Sequence, residues 1–153
     1  MMRGLILSAL IAFAPVAVSA QAGLDQRVIG EFVPSRDQTS AALGATAAFW
    51  DALERGDFAI AYGLLSAPLR AVVTPEQFVA ATAGSADFGV PRRVMRLTWY
   101  HEQPQHPGTV LAVDWQARDG DTLLGGGYLI WQLQPDGGFA LHRLDTTDLR
   151  APQ

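Results

Sequence analysis

The histidines, acids and arginines of the second half of the chain are the residues whose types could do chemistry. His101-Glu102 and His106 stand close together and raise the question of a metal site. Zinc needs three or four ligands converging at about 2 Å. Pro104 between the two histidines and Pro107 after them exclude the helical face on which a zinc-protease motif sets two histidines one turn apart. They read as solvent-exposed loop residues, so no metal site and no cofactor is expected. Gly125-Gly126-Gly127 has the composition of a phosphate cradle. Such a loop lies between a strand and a helix N-terminus, whereas this run precedes Tyr128, Ile130 and Trp131 inside an expected strand. It reads as a bulge or bend that lets a sheet curve. Arg92-Arg93 and Arg96 could hold an anion, but charge guarding a strand edge against aggregation is the preferred reading.

Proton transfer is the other chemistry available. It needs an acceptor whose pKa burial raises towards neutrality, with donors aimed at the developing oxyanion. Asp114, Tyr128, His142, Arg143 and Asp145 are the polar residues of the later strands. Asp114, Tyr128, His142 and Asp145 are therefore weak catalytic candidates. Strand alternation puts His142 on the face opposite Asp145, so the two do not form a dyad. Arg143 and Asp145 share a face with Phe139 and Leu141, where an ion pair at the sheet edge explains them. There is no Gly-x-Ser-x-Gly elbow. The absence of cysteine removes thiol catalysis, disulfides, zinc–thiolate sites and a lipidated cysteine.

The elements that must position these residues fall into two blocks. Ala45 to Phe78 reads as helix, break, helix, turn, helix. Phe49, Trp50 and Leu53, with Ala42, Ala45 and Ala52, make one apolar stripe. Thr39 or Ser40 is the expected N-cap and Gly56 the stop. Phe58, Ala61, Tyr62 and Leu65 face inward on the second helix. Thr74-Pro75-Glu76-Gln77 opens a third, with a capping box and proline at the first helical position. Four strands follow, over 93–100, 109–118, 122–134 and 139–146. Met95, Leu97 and Trp99 alternate inward on the first, and Leu111, Val113 and Trp115 on the second, with Asp114 outward. Asp119-Gly120 and Pro135-Asp136-Gly137-Gly138 are turns. His101 to Gly108 reads as a loop. Helices followed by a hairpin-connected sheet give an α+β domain.

The run Ala48-Phe49-Trp50-Asp51-Ala52-Leu53-Glu54-Arg55-Gly56-Asp57-Phe58, then Ala61-Tyr62, Leu64-Leu65-Ser66 and Pro75-Glu76-Gln77-Phe78, resembles the helical half of the nuclear transport factor 2-like superfamily. It is similar in particular to small exported bacterial domains of that superfamily. The resemblance covers Thr39 to Asp148. It implies three N-terminal helices packed on a curved antiparallel sheet of about four strands, enclosing a cone-shaped pocket. Tyr62, Trp99, Trp115 and Trp131 could line such a pocket, and with Arg143 they are the ligand-binding candidates, although the aromatic residues could equally fill the space as core. Members include isomerases and dehydratases that transfer protons in the pocket, as well as non-catalytic domains.

At 153 residues, with 49% hydrophobic and 17% charged, the chain is expected to form one globular domain. Met1-Met2-Arg3 followed by the apolar stretch from Leu5 to Val18 has the layout of a secretory signal, cut after Ala20. The alternative, an uncleaved anchor, needs about 20 apolar residues, more than this run supplies. The expected organisation is signal 1–20, linker 21–38 with a short strand at Val28 to Val33, domain 39–148 and a loose tail 149–153. The formal charge of −4 disfavours nucleic acid and anionic lipid as partners. The resulting expectation is a periplasmic or secreted, non-catalytic domain that binds a small apolar molecule or an envelope protein. The alternatives are an isomerase, dehydratase or lyase using the pocket, and a structural homodimer joined through an apolar outer face at Val110, Ala112, Tyr128 and Ile130.

Overall fold

The computed structural model describes residues 24–150. The expected signal at 1–20 and the last three residues of the expected tail lie outside them. The chain runs β1 (Asp25–Ile29), α1 (Arg36–Glu54), α2 (Phe58–Gly63), α3 (Ala67–Val72), α4 (Pro75–Thr82), a short 3₁₀ turn (Ala83–Ser85), then β2 (Arg92–Gln103), β3 (His106–Asp119), β4 (Thr122–Leu133) and β5 (Phe139–Asp148). This is an α+β arrangement of four helices and a five-stranded mixed sheet, ordered β1-β2-β3-β4-β5. The three helices and four antiparallel strands expected are each one short.

The added strand is β1, which overlaps only the first two residues of the short linker strand expected at Val28 to Val33. It pairs in parallel with β2, from Asp25 opposite Arg96 to Ile29 opposite Tyr100. Phe32 then packs on Trp99 and stacks on His101. The segment expected as a linker up to Gln38 is thus, from Leu24 onward, part of the fold. The added helix is α3, which has Pro68 in its first turn. Proline fits its first turn, and the Ser66 hydroxyl caps it by accepting from the Leu69 amide.

Helix α1 starts earlier than Thr39 or Ser40. Ser35 Oγ accepts from the Gln38 amide at 3.0 Å, and Gln38 Oε1 accepts from the Ser35 amide at 2.8 Å, closing a capping box. Thr74 and Gln77 close the same box at the start of α4. Gly56 takes φ +74° just past the end of α1, a conformation that costs glycine little.

Helix α1 buries Ala42, Thr46, Phe49, Ala52 and Leu53 at helical spacing. The Thr46 hydroxyl donates to the Ala42 carbonyl at 2.9 Å, so the one polar group of that stripe is satisfied within the helix. Phe49 meets Trp131 edge to face at 6.3 Å and Phe78 of α4 at 6.3 Å. These contacts lay the helices on the sheet face that carries Leu97, Trp99, Leu111, Val113, Trp115, Leu129, Trp131 and Leu141, all buried. Burying each of the three tryptophans there stabilises the fold by about 2–3 kcal/mol. Strand β5 is also tied to the helical layer: the Leu141 amide donates to the Leu64 carbonyl and the Ser66 amide to the Leu141 carbonyl, both at 2.8 Å.

Two bulges change which way side chains point. Met95 is an extra residue on β2, between the pairs Val94–Trp115 and Arg96–Asp114. It is 47% exposed rather than inward, and the residues before it reverse parity. His142 is the extra residue on β5, between Leu141 opposite Trp131 and Arg143 opposite Ile130. Leu141 is buried while Arg143 and Asp145 are exposed, so the face expected to be shared is not shared. The stretch His101 to Gly108 is largely strand, with β2 and β3 turning at Pro104-Gln105.

Candidate functional site

A cleft of about 310 Å³ opens between the helices and the end of the sheet. Helix α1 supplies Phe49, Trp50 and Leu53, and the end of α4 with the 3₁₀ turn supplies Ala81, Thr82 and Ser85. The sheet supplies Arg92, Trp115, Leu144, Asp145 and Thr146. The lining is therefore mixed, with apolar and polar residues on both the helical and the sheet side.

Arg92 organises this site. The Met95 bulge reverses the parity of β2, so Arg92, opposite the buried Ala117, points towards the helices. Its side chain is 2% exposed. Nη1 donates to Glu54 Oε1 at 2.6 Å, and Nη2 donates to the carbonyls of Ser85 and Ala86 at 2.8 and 2.9 Å. The guanidinium carbon lies 5.9, 5.2 and 5.3 Å from the ring centres of Trp50, Phe88 and Trp115. A planar, weakly hydrated cation suits such an aromatic box. Burial lowers the Arg92 pKa, and Glu54 and Asp87 act against that shift by favouring the charged form. Arg92 had been read with Arg93 and Arg96 as edge charge. The three separate instead: Arg92 is enclosed, Arg93 is exposed, and Arg96 pairs with Asp114 on the outer face.

Phe88 leans on a glycine. A Cβ on Gly125 would stand 2.4 Å from the Phe88 ring, and one on Gly127 would stand 2.0 Å from the Asp145 carbonyl oxygen. The glycine run of β4 thus admits Phe88 on one side and β5 on the other, the role of close approach that glycine serves in a strand. Arg150 closes the same corner. Its guanidinium carbon lies 4.4 Å from the Phe88 ring centre, and it donates to the carbonyls of Gly84 and Asp87 at 2.9 and 2.8 Å. Asp148, just before the expected loose tail, accepts from Arg150 Nη2 at 2.6 Å and from the Arg150 amide at 3.0 Å. These hydrogen bonds pull its pKa from 3.8 to about 2.

Of the candidate site residues singled out from the sequence, the fold brings Arg92, Trp115 and Asp145 to this cleft. Trp99 and Trp131 are wholly enclosed in the core. Tyr62 lies in the helical layer, with its hydroxyl donating to the Val73 carbonyl at 2.8 Å and its ring against Phe78. Asp114 accepts from Arg96 Nε and Nη2 at 2.8 and 2.7 Å. Arg143 makes no ion pair with Asp145 among the described residues; it lies over the Tyr128 ring at 5.4 Å. His142 is exposed at its bulge. His101 and His106 are half-buried strand residues rather than exposed loop residues, with His101 Nδ1 2.8 Å from Thr109 Oγ1 and His106 against Tyr100. Among the described residues, no group of three or more His, Asp or Glu could hold a metal ion. The site residues that sequence reasoning missed are Trp50, Ser85 and Phe88, along with the role of Arg92.

No known family, no curated protein and no solved structure matches this chain.

Proposed function

We propose that this chain is an exported, non-catalytic domain of the nuclear transport factor 2-like type, and that its cleft binds a small, largely apolar molecule. The observation that carries this reading is the cleft itself, enclosed between α1, α4 and the sheet, with Phe49, Trp50 and Trp115 in its wall and Arg92 fixed beside them. Concave sites that combine apolar and placed polar groups are where proteins hold small ligands; this cleft exposes both, with the half-buried Trp50 and Leu144 on its apolar side, and about 310 Å³ lies at the lower end of the usual range. The order of helices before a hairpin-connected sheet supports the superfamily resemblance, and the apolar leader from Leu5 to Val18 supports export.

Catalysis finds less support. A proton-transfer site needs a buried acid or base left free to act. Asp114 is held by Arg96, while His142 and Asp145 are exposed. A homodimer through the outer face would gain little apolar burial, since Val110 and Ile130 are already only 2% and 7% exposed.

A protein partner is the second reading, favoured by an apolar groove where Phe58, Tyr62, Pro75 and Val79 meet, with Ile60 and Val72 also exposed on the helical layer. Mass spectrometry under non-denaturing conditions, on the chain exported and gently purified, separates the two. The cleft reading expects a reproducible non-covalent adduct of small-molecule mass. A bare chain that co-purifies with a stoichiometric protein would favour the groove.

A further inference from the structure

Two hydrogen-bond donors in the cleft wall have no acceptor. Arg92 Nε and Trp115 Nε1 are enclosed and unpartnered among the described residues. The indole nitrogens of Trp99 and Trp131 are also unpartnered, but those side chains belong to the core and do not line the cleft. Leaving a buried N–H without an acceptor is unfavourable, so native structures seldom do it without a reason. Both residues line the cleft, and the guanidinium carbon is 5.3 Å from the Trp115 ring centre. The rest of the guanidinium is engaged, by Glu54 at Nη1 and by the Ser85 and Ala86 carbonyls at Nη2. The group is thus held in place with Nε to spare, the preorganisation that a recognition donor needs.

The charges around the cleft say which acceptor fits. Glu54 already occupies Arg92, and Asp87 is near enough to favour the Arg92 charge. Asp148 balances Arg150. A ligand carboxylate would bring a further negative charge among these acids. A carbonyl oxygen brings two lone pairs and no charge. Trp50 and Leu144, both half-buried, offer apolar surface to the body of the same molecule.

We propose that the cleft recognises a small apolar molecule bearing a neutral carbonyl, a ketone or an ester, whose oxygen accepts from Arg92 Nε and Trp115 Nε1. This rests on the ligand-binding reading above and adds the chemical class. Both donors are closed to solvent. The oxygen reaches them by moving a lining side chain, and Trp50, half-buried over the guanidinium, is the one positioned to move. With water excluded, the bond competes with no solvent and discriminates strongly between ligands.

The test is a titration of the purified, ¹⁵N-labelled chain with three probes of like shape: 2-acetylnaphthalene, 2-ethylnaphthalene and 2-naphthoate. Affinity and the indole N–H resonances are followed together, with Trp115 assigned through its contact with Phe88. The expected result is that the ketone binds about tenfold or more tightly than the hydrocarbon, that it binds more tightly than the carboxylate, and that it moves the Trp115 indole N–H downfield. Equal affinity of ketone and hydrocarbon, with that resonance unmoved, overturns the carbonyl assignment and leaves the binding site standing. Tightest binding by the carboxylate overturns the preference for a neutral group. Failure of all three probes to bind counts against the cleft as a ligand site and takes this inference with it. The wild-type chain serves throughout, so no outcome depends on a variant that fails to fold.

Discussion

Arg92 Nη1 donates to Glu54 Oε1 at 2.6 Å, joining the start of β2 to the last residue of α1 across 38 positions. The two partners are unequal, because the arginine side chain is 2% exposed and the glutamate side chain 39%. Water can replace the glutamate but not the arginine. Glu54→Gln should therefore cost only about 1 kcal/mol, in the range of a partly exposed pair. Arg92→Ala loses the two carbonyl contacts, the aromatic box and the volume of the side chain, and should cost about 3–5 kcal/mol, as large truncations at buried sites do. Urea unfolding of the two variants checks the order. Equal losses would mean that the ion pair itself, and not the enclosure of Arg92, stabilises this corner.

Trp115 packs edge to face with both Trp50 and Phe88, at 5.9 and 5.7 Å. Trp115→Ala should cost about 3–5 kcal/mol by leaving a cavity where β3 meets α1. An unchanged melting temperature would contradict its inward placement.

The glycines of β4 should not be equivalent. A Cβ at position 127 meets backbone at 2.0 Å, one at 125 meets the Phe88 ring at 2.4 Å and the Thr147 carbonyl oxygen at 2.8 Å, and one at 126 meets backbone no closer than 3.0 Å. A ring can shift further than a paired strand can. Gly127→Ala should be the most destabilising, Gly125→Ala intermediate at about 1–3 kcal/mol, and Gly126→Ala the mildest. Thermal melts of the three variants would expose a different order.

Asp148 gives an acid signature. Its hydrogen bonds from Arg150 depress its pKa from 3.8 to about 2. A carboxylate with a depressed folded-state pKa stabilises the fold above its ordinary value, and that stability disappears as the pH falls through the folded value. Wild type should thus lose this contribution between 3.8 and about 2. Asp148→Asn should lack it at neutral pH already and show a flatter acid profile. The pair is partly exposed, so after allowance for screening the effect is about 0.5–1 kcal/mol and shrinks in high salt. Parallel acid profiles for wild type and variant would show that the Arg150 contact does not stabilise the fold.

Much of the architecture was legible, because local rules carry it. The Phe49–Leu53 stripe, the capping box at Thr74 and Gln77, and the two hairpin turns depend on neighbours in sequence, and the structure has each in place. The box at Ser35 and Gln38 has the same spacing and was equally readable; the apolar stripe drew attention to a later start. Strand β1 was not legible at its true place, since its parallel pairing with β2 depends on residues some seventy positions away. The site was hidden for one further reason. Alternation along β2 points Arg92 outward unless the extra residue at Met95 is known, and no local pattern marks that bulge. A single inserted position turned an expected surface charge into the enclosed centre of the cleft.

The central claim is that the cleft beside Arg92 holds a small molecule. Ala81 tests it most directly, because it lines the cleft from the exposed side of α4, where a larger side chain costs the fold little. The measurement is the non-denaturing mass spectrum of wild type and Ala81→Trp, each exported and purified alike. The account predicts a small-molecule adduct on wild type and its loss from the variant, whose indole fills the cleft. An adduct retained equally by both, or absent from a folded wild type, would contradict it.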